Sequence, residues 1–161
     1  MQSKAFLKSI RHEQFEIAEL EEKREELYSI LLPKAIAYKS VDVQESGPSD
    51  KMSKIFANIY AIDKIIEKRM ERLIKKLAKA EFIIDQLEES RYRTVLELYY
   101  LGSKRISLQE VAEKMNYSPR EIDYLHGDAL KALDKIMRDN AEVSRESNLD
   151  PKSSSGNKAK S

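Results

Sequence analysis

Between residues 55 and 87 a single stripe of apolar side chains governs most of what the chain can fold into. Ile55, Ile59, Ile62, Ile66, Met70, Leu73, Leu77, Ala80, Ile84 and Leu87 follow one another at steps of three and four, close to a strict heptad seam. A helix carrying that seam, about 38 residues long, spans roughly 57 Å. A small globular core cannot bury such a length, so a second helix must run beside it. Residues 4–32 supply one. Ile10, Ile17, Leu20, Leu27 and Leu31 recur there at helical spacing, while Glu19, Glu21, Glu22, Lys23, Arg24, Glu25 and Glu26 form a solvated face. The spacing fits either an antiparallel hairpin within one chain or pairing with a second subunit through the long helices. A connection of about ten residues is ample for the return, and the expectation is an intramolecular hairpin over 1–89.

Pro33 removes a backbone donor and crowds the preceding turn, so the first helix is expected to weaken around 33–40. The loop is placed at about 40–49, where Ser46-Gly47-Pro48-Ser49 concentrates turn-forming residues, and Ser49 or Asp50 can cap the second helix. A new pattern begins near Ser90. Val95, Leu98 and Tyr99 share a face, Leu101-Gly102-Ser103 interrupts it, and two shorter helices follow, giving a small second unit at 90–138. Beyond Arg138 the apolar rhythm is lost, and 139–161 reads as a disordered tail. The fold class is all-α.

Composition narrows the chemistry. Four glycines at 47, 102, 127 and 156 are too scattered to cradle a phosphate or to form a dinucleotide fingerprint. With no cysteine and only His12 and His126, thiol catalysis, disulfides and a zinc site are poor expectations. His12 reads as solvated and His126 as a partly buried, hydrogen-bonded side chain. Carboxylate pairs such as Glu21-Glu22 and Glu88-Glu89 lie on charged helices without a cleft. The chain is therefore read as a binding or assembly protein and not an enzyme, with no cofactor, no metal and no catalytic residues. Its 29 basic and 28 acidic side chains cancel, and 90–138 leans only weakly basic, with nine against seven. Lys75, Lys76 and Lys79 form a small basic strip balanced by Glu71 and Glu81. The longest apolar runs are far short of the roughly 20 residues needed to cross a bilayer, so no membrane partner is expected. The polar opening Met1-Gln2-Ser3-Lys4 does not read as a secretion signal, so the cytoplasm is the expected location.

The clearest functional signal lies at 108–127. Val111 and Met115 face inward one turn apart, Ala112 is small where a second helix crosses, Asn116 tolerates a left-handed turn, and Tyr117 plugs the corner. Ser118-Pro119-Arg120-Glu121 is a capping box with proline at the first helical position, and Ile122, Leu125 and Ala129 return a buried face. These are the elements of a helix-turn-helix, a unit whose second helix can enter the DNA major groove with its first turns; a plain three-helix bundle uses the same turn to close its core. Arg120, Asp123, Tyr124 and Gly127 are the side expected to be exposed. Asp123 and Asp128 place negative charge on that helix, so a single copy should bind weakly and with marked salt sensitivity.

The run Arg91-Tyr92-Arg93-Thr94-Val95-Leu96-Glu97-Leu98-Tyr99-Tyr100-Leu101, with Leu108 to Met115 and Ser118 to Leu133, resembles region 4 of the sigma-70 family over roughly 90–135. The chain as a whole, including Glu45 to Met52 and Tyr124 to Leu130, looks like a small family of sigma-like regulators encoded by phages and prophages of Gram-positive bacteria. The resemblance implies a fold in which the helical hairpin precedes a small helix-turn-helix domain. It also implies double-stranded promoter DNA as the partner, RNA polymerase as a second one, and DNA contact through Ser118, Pro119, Arg120, Asp123 and Tyr124. Asp128 departs from the pattern, since a basic residue usually precedes the Ala-Leu pair, and nothing resembles the sigma region that melts DNA. A complete sigma factor is therefore not expected.

Two functions follow as expectations. In the first, the protein is a phage or prophage transcription regulator acting with RNA polymerase or as a homo-oligomer. In the second, it is a structural or adaptor protein whose hairpin and three-helix end bind other proteins.

Overall fold

The computed structural model describes residues 1–38 and 50–146, so the expected loop at 40–49 and the tail from 147 onward lie outside the described residues. All regular structure among the described residues is helical: α1 (Gln2–Tyr38), α2 (Asp50–Ile84), α3 (Ser90–Leu96) with a π-helical continuation (Glu97–Leu101), α4 (Leu108–Met115) and α5 (Pro119–Glu146). The chain is all-α. It divides into two compact units, one formed by Lys8–Lys79 and the other by Met1–Leu7 together with the chain from Ala80 onward. The sequence partition at 89/90 groups the residues differently, because the heptad seam runs on without interruption past Lys79.

In the Lys8–Lys79 unit the side chains of Ile10, Ile17 and Leu31 on α1 and of Ile59, Ile66 and Leu73 on α2 are buried. Ion pairs fix the direction of the two helices. Arg24 meets Asp63 at 3.1 Å, Arg69 meets Glu16, and Arg72 and Lys76 reach Glu13 at 3.2 and 3.5 Å. Positions that rise along α2 pair with positions that fall along α1, so the helices are antiparallel. Glu13 is itself 8% exposed, and the three cations around it offset the loss of water. Lys76 is thus committed to Glu13, whereas His12 is solvated as expected and lies 3.5 Å from Glu16.

Two expectations change in this unit. Met70, placed in the seam by its spacing, is 40% exposed. Two consecutive four-residue steps, from Ile62 to Ile66 and on to Met70, each overshoot a full turn by about 40° and carry Met70 round to the adjoining face. The first helix, expected to weaken around 33–40, is helical through Pro33 as far as Tyr38. Pro33 lies on an exposed side of the helix near its end, where losing one donor is least costly.

In the other unit α3 and α4 pack on α5, and the first turn of α1 joins them. Leu7, Ile84, Val95, Leu96, Tyr100, Val111, Ile122, Leu130 and Leu133 are buried. Ser3 is fully buried: its amide donates to Asp134 Oδ1 at 2.8 Å and its hydroxyl to the Leu130 carbonyl at 3.0 Å. α5 continues to Glu146, into the segment whose composition suggested a disordered tail from 139. Asn140 supports that extension by donating to Gln86 at 3.1 Å, a contact that apolar periodicity does not register.

Candidate nucleic-acid interface

Local sequence sets each end of the α4–turn–α5 segment. Ser107 starts α4 with a reciprocal capping box: its hydroxyl accepts from the Glu110 amide, and its own amide donates to the Glu110 carboxylate at 2.7 Å. Donation to the Glu110 carboxylate from the Ser107 amide first, and from the Ser107 hydroxyl at 2.8 Å second, holds that carboxyl below the usual glutamate range. α4 ends at Asn116, the one described non-glycine residue with positive φ (φ 57°, ψ 43°), and the Tyr117 amide folds back to the Ala112 carbonyl at 2.9 Å. Ser118 then opens α5. Its amide and hydroxyl donate to the Glu121 carboxylate at 2.9 and 2.7 Å, and the Glu121 amide donates back to the hydroxyl at 3.3 Å. The hydroxyl first and the amide second hold the Glu121 carboxyl below its ordinary value.

The turn fixes which side of α5 is free. Ile122, Ala129, Leu130 and Leu133 are buried, whereas Arg120, Asp123 and Tyr124 are exposed on the first two turns. The Arg120 guanidinium lies 5.8 Å from the centre of the Tyr124 ring, a cation–π contact that holds the two side chains together. Of the five residues expected to touch DNA, Arg120, Asp123 and Tyr124 are brought to one exposed surface. Pro119 forms the first helical position beneath them, and the Ser118 hydroxyl is occupied by the cap. Asp128 is bridged to Lys131 at 2.9 Å, which the sequence reading did not pair. Lys131 continues the Arg120 face roughly three turns further along. An i,i+3 opposite-charge pair on a helix was the available signal for it.

Two clusters brace this surface from behind. Tyr100, only 1% exposed, shares a hydrogen bond of 3.0 Å between its hydroxyl and His126 Nε2, and its ring stacks on the imidazole at 5.7 Å. Tyr99 meets both rings edge-on, at 4.7 and 5.3 Å. His126 is thus tied across to α3's continuation. The π-helical turn, closed by the Gly102 amide on the Glu97 carbonyl at 3.0 Å, inserts one extra residue per turn and makes Tyr100 the buried side chain where α-helical periodicity had favoured Leu98 and Tyr99. At the other side of the turn, Arg91 bonds Glu89 at 2.7 Å. That carboxylate, then the Tyr117 side chain, raise the guanidinium above its already high range.

Residues 34–134 match the model of a family described as Protein of unknown function (DUF1492). The chain belongs to that family. The DUF1492 match takes in all of α2, α3, α4 and the capped turn into α5, and so includes every residue of the exposed surface above. No curated protein and no solved structure gives a match. Among the described residues no cluster of His, Cys, Asp or Glu could hold a metal ion, and no helix is long and apolar enough to cross a membrane.

Proposed function

We propose that this DUF1492 protein is a sigma-like transcription regulator of phage or prophage origin, which reads double-stranded promoter DNA with the first turns of α5. It acts in the cytoplasm together with RNA polymerase, and its role is binding and not catalysis. The observation that carries the reading is the surface made by Arg120, Asp123 and Tyr124 at the start of a helix whose entry is set by a left-handed residue and a capping box. A helix presented in this way fits the roughly 12 Å width of a B-DNA major groove, where an arginine can bond guanine bidentately or a phosphate singly. The Asp128–Lys131 bridge reduces the electrostatic objection raised by Asp128, because the carboxylate arrives with its own counterion. The adaptor reading draws on Asp123, an exposed carboxylate with no phosphate to favour it.

Selection of bound fragments from the host or phage genome, with and without RNA polymerase, tests the proposal. An enriched sequence that depends on Arg120 supports it. If neither condition enriches a sequence and Arg120→Ala leaves regulated transcription unchanged, the adaptor reading replaces it.

A further inference from the structure

Beside its buried seam, α2 carries a second apolar stripe that α1 does not cover. Phe56, Tyr60, Met70 and Ile74 are 54, 65, 40 and 60% exposed. Helical geometry places all four within about an 80° arc, together with half-buried Met52 and exposed Ala78 at the two ends. Their order along the chain is symmetric. Met52, Phe56 and Tyr60 are four apart, a ten-residue step leads to Met70, and Met70, Ile74 and Ala78 are again four apart. A row with the same spacing from either end is complementary to itself across a two-fold axis, the geometry of an isologous dimer.

We propose that two copies of this chain pair antiparallel through the 52–78 stripe of α2. Phe56 then packs against the partner's Ile74, Tyr60 against the partner's Met70, and Met52 against the partner's Ala78, along about 40 Å of helix. The same register sets Asp63 level with the partner's Glu67, so the centre gathers four carboxylates, each accompanied by a cation of its own chain. Asp63 carries Arg24 at 3.1 Å, and Glu67 is held by Lys64 at 2.8 Å. At the two-fold axis Lys64 comes within about one residue of the level of the partner's Glu67, so the bridge within each helix can be exchanged for one between copies. A polar centre between apolar ends disfavours a slip of one heptad, which sets Phe56 against the partner's Glu67 or Ile74 against the partner's Asp63. The carboxylates at the centre also make this face unsuited to DNA. The partner is a second copy because an unrelated surface would have no reason to match a symmetric spacing.

The chain has no cysteine, so introduced cysteines are unique. Full-length Phe56→Cys and Ile74→Cys, mixed and treated with a short bis-maleimide, should give a cross-linked dimer. Neither variant alone should cross-link, because like positions lie about 27 Å apart in the antiparallel pair. In sedimentation the wild type should dimerise, and Tyr60→Glu with Met70→Glu should raise the dissociation constant at least about tenfold while the helical circular dichroism is kept. The proposal is overturned by a wild type that stays monomeric up to about 100 µM, by self-cross-linking of either variant, or by a dimer indifferent to the double substitution. A monomer that loses RNA polymerase binding when the stripe is altered would overturn it in favour of a protein partner.

Discussion

Arg120 forms no ion pair among the described residues, and its guanidinium rests on an aromatic ring that leaves its donor edges open to solvent. Its replacement by alanine should therefore leave folding within a few tenths of a kcal/mol, as is usual for surface positions. Specific DNA affinity should fall by roughly 1–3 kcal/mol if the side chain reads a base. Fluorescence anisotropy on the selected site, beside a thermal melt of the same sample, separates the two effects. Asp128 invites the opposite experiment. Asp128→Arg adds a cation and also frees Lys131 from its bridge, so the slope of log K against log salt should steepen by between about one and two. A slope that does not move would place this part of α5 away from the phosphates.

Glycine affects elements differently according to what surrounds it. A Cβ built at Gly127 meets nothing within 4 Å, and the residue sits inside α5, so Gly127→Ala should stabilise the fold by about 0.5–1 kcal/mol in urea unfolding. At Gly102 a Cβ would lie 3.1 Å from the Leu98 carbonyl oxygen, a backbone atom that cannot swing aside, and the same substitution should destabilise. The contrast also marks what a sequence can show. The limits of α4, the left-handed Asn116 and the Ser118–Glu121 box were legible because each depends on residues within four positions of one another. The π-turn was not, since it preserves composition and shifts the buried position by one, exchanging Tyr99 for Tyr100. Nor was the burial of Glu13, which looks like one more charge on a solvated helix until Arg69, Arg72 and Lys76 arrive from the other helix of the hairpin. Exposed Arg120, Asp123 and Tyr124 were legible as a face; the bridging of Asp128 by Lys131 needed side-chain geometry.

At the scale of the whole molecule, the bond from Ser3 to Asp134 links positions 131 residues apart. Burial alone would raise the Asp134 carboxyl, but the Ser3 bonds and neighbouring Arg138 outweigh it, and the group titrates below the ordinary aspartate value. A carboxyl lowered in the native state contributes stability that is complete above its unfolded pKa, about 3.9, and is lost as pH falls through the lower native value. Asp134→Asn should therefore cost about 1–2 kcal/mol at pH 7. The gap from wild type should close only below about pH 4. Paired denaturation curves at pH 7, 5 and 3 check this. An equal gap at all three would show that the side chain acts through shape and not through charge.

The same attachment bears on how the protein is made. Residues 1–7 leave the ribosome long before α5, the helix that buries Ser3, has been translated. The α1–α2 hairpin, closed by contacts between neighbours in the chain, can form while synthesis continues, whereas the other unit must hold its opening turn in reserve until nearly everything else has emerged. A nascent chain arrested before Leu130 should then display a protease-sensitive start beside an already resistant hairpin. Release of the full chain should protect residues 1–7 and α5 together.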